Sequence, residues 1–180
     1  MKILGAKRIN LLLLSVFLLI SISHVQAKNS VAKDNKTANQ SYLFVQSVNQ
    51  ATISDPNKDG SFIITLKEVH PYVTYFAERP TRKAGTLPIE QFLKAWQKDV
   101  KDSFKKNPPN ANLSAIQIGV NAPDTVLNIP LTLTEPIYDS KAKTLQYTAK
   151  ALEGSNNPLP NNAGLKNVSL FIDDACLSCW

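Results

Sequence analysis

From Asp55 onward, clusters of proline, glycine, asparagine and aspartate interrupt this chain at intervals of about ten residues. The stretches between them are rich in β-branched and aromatic residues, which suit short strands and are too brief for long helices. Ser41–Ile53 and Phe62–Val69 flank Asp55-Pro-Asn-Lys-Asp-Gly60 and read as a hairpin. Tyr72–Ala77 is a third strand, bounded by Pro71 and Pro80, because the residue before a proline avoids the helical region. Leu113–Val120, Thr125–Thr134, Thr144–Leu152 and Val168–Asp173 read as four more. Pro130 removes a ladder donor, so the second of these four is expected at an edge or with a bulge. Asn156–Gly164 reads as a long Pro/Asn loop.

One stretch has helical rather than strand periodicity. Ile89, Phe92, Leu93, Trp96 and Val100 recur at three- and four-residue intervals, with Thr86 placed to cap and Pro88 tolerated in the first turn. The helix must stop by Asn107, because Pro108-Pro109 can neither continue it nor donate a backbone hydrogen bond. With no alternation of strands and helices, the expected fold is mainly β. It is an antiparallel β-sandwich or open barrel of about seven strands, with one amphipathic helix inserted after the third.

The chain has 180 residues, of which 43% are apolar, enough for one core and against wholesale disorder. Its N-terminus reads as a targeting segment and is set aside. Lys2, Lys7 and Arg8 precede a nearly unbroken apolar run, Ile9–Ile22, and Val25-Gln26-Ala27 puts small residues where a signal peptidase cuts. The run is about 14 residues, short of the roughly 20 that span a bilayer as a helix. Residues 1–27 are thus expected to be a secretory signal peptide, and the mature chain to begin at Lys28 in a periplasm or outside the cell. No cysteine follows the cut, so lipid anchoring by that route is not expected. Lys28–Gln40 is polar and without aromatics, and reads as a flexible tether to a single domain from Ser41 to Asp173.

Cleavage changes the electrostatics. The precursor's formal charge of +6 falls to +3, because three of the 20 basic residues and none of the 14 acids leave with the signal. Nucleic acid is therefore an improbable partner, since both the excess charge and the encounter are removed by export.

The most unusual stretch is Tyr75-Phe-Ala-Glu-Arg-Pro-Thr-Arg-Lys-Ala-Gly85. Lysine supplies 15 of the 17 mature basic residues, and both remaining arginines, Arg79 and Arg82, fall here. A guanidinium offers a planar fork that grips carboxylate or phosphate with two parallel bonds. Two readings follow. Either the arginines clamp Glu78, Asp99 or Asp102 and brace the loop, or they form an anion site together with Tyr75, Glu78 and Trp96.

Other features carry less. Cys176-Leu-Ser-Cys179 has dithiol spacing, but only Trp180 follows it, so the helix that would stabilise a thiolate is missing and a local disulfide is the leading reading. Asp55–Gly60 matches the first half of a calcium loop, yet Leu66 stands where the bidentate glutamate belongs, so a turn is expected and no metal. Lys94, Lys98, Lys101 and Lys105 would share one face of a helix reaching Lys105, which most simply is its solvated side. No nucleophile elbow, zinc-binding helix or phosphate loop is present, and the mature chain has one histidine, His70.

The blocks Tyr75–Gly85, Phe92-Leu-Lys-Ala-Trp96, Ser103-Phe104 with Pro108-Pro-Asn-Ala111, and Ser169-Leu-Phe-Ile-Asp173 resemble those of a family of small exported proteins with no assigned activity. The resemblance implies a shared fold over about Tyr42 to Asp173, and no catalytic residue. The tail Asp174–Trp180 departs from the pattern. Together these features lead us to expect an exported, non-catalytic binding or envelope-associated module without a cofactor. Its partner would be an anionic small molecule, a glycan, a lipid surface or an envelope protein. The alternatives are a carboxylate-dependent enzyme using Glu78 with the arginines beside Trp96, and a purely structural partner protein.

Overall fold

Ser41–Ile53 forms one long strand, β1, that organises the molecule. In the computed structural model, residues 41–77, 82–97, 103–153 and 160–176 are described, the last three by their backbone. Residues 1–40, read from sequence as a signal segment and a tether, lie outside them. Along β1, Tyr42, Phe44, Gln46 and Val48 point inward, then Asn49 and Gln50 are both exposed, and Ala51 and Ile53 point inward again. The opposite strand changes phase at the same rung, where Asn167 takes φ 51°, a left-handed conformation that asparagine tolerates.

The remaining strands are β2 (Phe62–Lys67), β3 (Tyr72–Phe76), β4 (Ala84–Pro88), β5 (Asn110–Gln117), β6 (Thr125–Asp139), β7 (Thr144–Ala151) and β8 (Ala163–Cys176). Every pairing is antiparallel, and the circuit β1–β2–β7–β6–β5–β8 returns to β1, which closes a six-stranded barrel. β3 and β4 are added outside it. One edge of β1 pairs with β8 along nearly its whole length, while the other is shared, Leu43–Val45 with β3 and Gln50–Ile53 with β2.

The expected antiparallel β architecture is therefore present, with the barrel closed rather than open and β4 as an eighth strand. Ala84-Gly-Thr-Leu-Pro88 holds a glycine and a proline, both poor strand formers, so sequence alone reads it as loop and cap. Pairing with β3 decides otherwise. Thr86 lies opposite Thr74 in that ladder and does not cap a helix.

The helix that follows is much shorter than its periodicity suggests. One α-helical turn, α1 (Ile89–Phe92), tightens into a 3-10 turn at Leu93–Trp96, and Gln97 is already extended. Val100, Lys98 and Lys101 lie outside the described residues, and Lys105 sits in a separate turn, so the lysine stripe is not one helix face. Packing explains the shape. Ile89, Phe92, Ala95 and Trp96 are all buried, and the segment lies across the inward side chains Phe44 of β1 and Tyr147 of β7, with ring centroids 4.9 Å (Phe92–Phe44) and 5.9 Å (Trp96–Tyr147) apart. The Ile89 N–H donates to the Pro71 carbonyl at 3.0 Å, and the Phe104 N–H to that of Ala95 at 2.7 Å, anchoring the segment at both ends.

Pro130 does not mark an edge, because β6 is an interior strand of the closed barrel. Its carbonyl accepts from the Leu152 N–H at 3.0 Å, so the missing N–H faces the β7 side, at the last rung of that ladder. β6 does carry a bulge, further along, between Thr134 and Ile137.

Candidate functional site

The bulge in β6 shapes a concavity beside the short helix. Glu135 takes φ 50° there, a left-handed conformation that costs a residue with a Cβ about 1–2 kcal/mol, and Pro136 follows it. A bulge redirects the side chain it carries. The Glu135 carboxylate accepts from the Thr148 hydroxyl of β7 at 3.2 Å and stands on the rim of a groove of about 620 Å3. Leu93, Trp96, Gln97, Phe104, Lys105 and Pro136 form its walls, and Asp59 reaches it from the β1–β2 turn.

Trp96 is the central residue of this groove. Its indole is 9% exposed and packs edge-on against Phe92 at 5.3 Å and Phe104 at 4.7 Å. Among the described residues its Nε1 is one of two buried side-chain nitrogens without a hydrogen-bond partner, the other being Nε2 of Gln46. A buried donor left unpaired costs about 1–3 kcal/mol, so such an atom marks a place where an acceptor is favoured.

Asp59 belongs to a turn, as its sequence suggests. The Ser61 hydroxyl and N–H donate to its carboxylate at 2.7 and 3.1 Å, Asn57 closes the loop through Ser61, and Gly60 supplies φ 78°. The Ser61 bonds, the side-chain one first, hold the Asp59 carboxyl below the ordinary aspartate range, so it is ionised at neutral pH. The groove thus offers an indole donor, two carboxylates, an ammonium and an apolar wall. Its described lining contains neither histidine nor cysteine.

The five residues singled out by sequence do not gather into one described site. Tyr75 is half-buried on β3, its ring edge-on to Tyr42 at 5.5 Å and 6.5 Å from Phe44, lying directly over Gly85 of β4. It joins Trp96 only through the intervening rings of Phe44 and Phe92. Arg82 is exposed just before β4, at φ 46°. Glu78 and Arg79 lie outside the described residues, as do Asp99 and Asp102. Cys176 pairs its backbone with Ser41 at the end of the β1–β8 ladder, and Cys179 is outside the described residues.

Trp96 is therefore the member of that set found in the groove, and Glu135, Asp59, Phe104 and Gln97 were not anticipated there. Glu135-Pro136 did leave a trace in the sequence, a charged residue and a proline breaking the alternation of a strand. Among the described residues, no group of three or more His, Cys, Asp or Glu side chains assembles, and no helix is long and apolar enough to cross a membrane. Comparison of the chain with protein-family models, curated proteins and solved structures produced no match in any of the three.

Proposed function

We propose that this chain is an exported, non-catalytic binding module whose small-molecule ligand occupies the groove beside Trp96. The observation that carries the reading is the unpartnered indole Nε1 of Trp96, nine-tenths buried in the wall of a groove of ligand-sized volume. A ligand that fits presents an acceptor oxygen to the indole and an apolar surface to Phe104, Leu93 and Pro136. The groove's described polar groups are suited to hold such a molecule, with the Thr148 hydroxyl donating to Glu135 on its rim. Export rests on the N-terminal pattern of basic residues, apolar run and small residues before Lys28, and on the resemblance to small exported proteins.

Anion recognition at Arg79 and Arg82 is a second element of the proposal, supported by the exposure of Arg82 and the scarcity of arginine elsewhere. An anionic headgroup there would be held by the loop before β4.

The mature chain has two tryptophans, Trp96 and Trp180, so its indole N–H region in a nitrogen–proton correlation spectrum contains two signals. We expect a ligand from a panel of carboxylates, phosphates, glycans and lipids to shift the Trp96 signal and raise the unfolding midpoint. Trp96→Phe, which keeps the aromatic wall, removes the first effect and weakens the second. A panel that leaves both signals and the midpoint unmoved refutes the groove as a binding site. Export is tested by the mass of the protein recovered outside the cytoplasm, which should begin at Lys28.

A further inference from the structure

Where β2 and β3 part company, β1 is left without a neighbour on one side. Among the described residues, Gln46–Asn49 belongs to neither ladder on that edge, since β3 stops pairing at Val45 and β2 begins at Gln50. The chain crosses the gap through a corner at Glu68–Pro71, where Glu68 is left-handed at φ 56° and the Val69 N–H is drawn away to the Lys143 carbonyl at 2.9 Å. A cleft of about 470 Å3 opens at this fork, separate from the groove beside Trp96 and sharing no residue with its lining.

Its chemistry is specific. Tyr72 and Phe76 project from the same face of β3 and are 52% and 36% exposed, which leaves two aromatic rings open to solvent. Phe171 of β8, Ser47, Thr74 and Thr86 complete the lining, with the Ser47 hydroxyl bonded to that of Ser169 at 3.2 Å. No lysine, arginine, aspartate or glutamate lines the cleft, and His70 is its one basic side chain. Gln46 borders the cleft as part of β1, but its side chain is buried and turned into the barrel, where Oε1 accepts from Tyr147 at 3.0 Å.

We propose that this fork cleft is a binding site for a neutral saccharide. A charged ligand would lose its hydration against a lining that carries no permanent charge to replace it. A purely apolar ligand would make no use of the Thr74 and Thr86 side chains or of the stretch of β1 that joins neither ladder. A sugar ring has one apolar face for Tyr72 or Phe76 and a rim of hydroxyls that both donate and accept, so it answers both demands. The volume suits one or two sugar rings, which is within the range of small-ligand sites.

The test is calorimetric titration of the mature protein with chitotriose, cellotriose and maltotriose, each at millimolar concentration, beside Tyr72→Ala, Phe76→Ala and Trp96→Phe. Tyr72 and Phe76 are exposed, so their truncation is expected to keep the wild-type unfolding midpoint, which is measured in parallel. We expect at least one trisaccharide to bind, Tyr72→Ala or Phe76→Ala to weaken it about tenfold or more, and Trp96→Phe to leave it unchanged. Failure of all three sugars overturns the proposal, as does binding that survives both β3 truncations. Loss through Trp96→Phe alone would assign the sugar to the other groove and equally overturn it. Sedimentation that shows a dimer dissolved by Tyr72→Ala would make the cleft a contact between two copies instead.

Discussion

The Tyr147 hydroxyl donates to Oε1 of Gln46 at 3.0 Å, linking β7 to β1 through the barrel interior. Both side chains are buried, and burial pushes the Tyr147 hydroxyl well above the ordinary phenol range, with the Gln46 bond opposing it more weakly. Tyr147 therefore remains a donor throughout the physiological range. Its ring also touches Trp96, so this bond ties the barrel wall to the residue at the centre of the groove.

Tyr147→Phe removes the donor and leaves the Gln46 amide buried with neither end paired. The expected loss is about 1–3 kcal/mol in urea unfolding, from desolvation of the orphaned group rather than from lost packing. Adding Gln46→Leu to it removes the orphan and should recover part of that loss. If the double variant is less stable than Tyr147→Phe alone, the amide contributes something other than this bond.

The bulge at Glu135 predicts an ordering of substitutions. Glu135→Val places a β-branched residue at a left-handed position and should cost about 1–2 kcal/mol, whereas Glu135→Gly accepts that φ and should stay near wild type. Thermal unfolding of the two variants distinguishes them, and equal midpoints would mean that the bulge relaxes.

Gly85 is required by its cross-strand partner Tyr75. A Cβ built at Gly85 meets the Tyr75 hydroxyl oxygen at 2.8 Å and Cζ at 2.9 Å. Gly85→Ala must displace a ring wedged against Tyr42 and Phe44, at a cost of about 1–3 kcal/mol. Tyr75→Ala clears the space, so a double-mutant cycle should show the glycine substitution becoming cheaper in its presence.

Acid should weaken the fold through two carboxylates. Asp124 lies at the β5–β6 end, where Lys166 at 2.5 Å and then the Gly119 N–H at 3.2 Å hold its carboxyl below the ordinary range, as Ser61 does for Asp59. A carboxyl with a lower pKa in the folded state binds fewer protons than in the unfolded chain. The stability it contributes is present at neutral pH and is lost as pH falls from about 4 downward. Asp59→Asn and Asp124→Asn should each flatten the acid limb of a midpoint-versus-pH curve, with the neutral-pH difference small because both groups are at the surface. A limb that keeps its slope in the double variant would assign acid sensitivity elsewhere.

The arginine loop gives a sharp alternative. Because Arg82 is exposed, an Arg79→Lys/Arg82→Lys variant should keep the wild-type stability within about 0.5 kcal/mol and lose any midpoint increase that a phosphate or carboxylate produces. A variant that is itself less stable by about a kcal/mol or more, with no anion response in the wild type, would make the arginines an internal brace.

Local pattern carried most of the strands. Ser41–Ile53 and the starts of β2, β3 and β7 fall where alternation and turn formers place them, because inward residues such as Phe44, Ile64 and Leu145 recur every second position. Ends and exceptions were less legible. β8 begins at Ala163, inside the stretch that reads as a Pro/Asn loop, because Ala163 and Leu165 pair with Ile53 and Ala51. α1 and its 3-10 turn are short although their apolar spacing is helical, since Phe92 and Trp96 are positioned by Phe44 and Tyr147, far away in sequence. The groove and the cleft left little trace, because each is assembled from residues that only strand pairing brings together.

By itself, then, the sequence determined a β-rich antiparallel domain, the turn at Asp55–Gly60 and the buried character of Trp96, all of which follow from local alternation, turn chemistry and side-chain size. Only the tertiary structure decided that the barrel closes, that Gly85 and Thr86 belong to a strand, and that Glu135 and Gln46 border concave sites. Closure depends on Gln50–Ile53 of β1 pairing with β2 on the edge that β3 leaves free. That is a matter of non-local hydrogen bonds and register, which alternation within a strand does not encode.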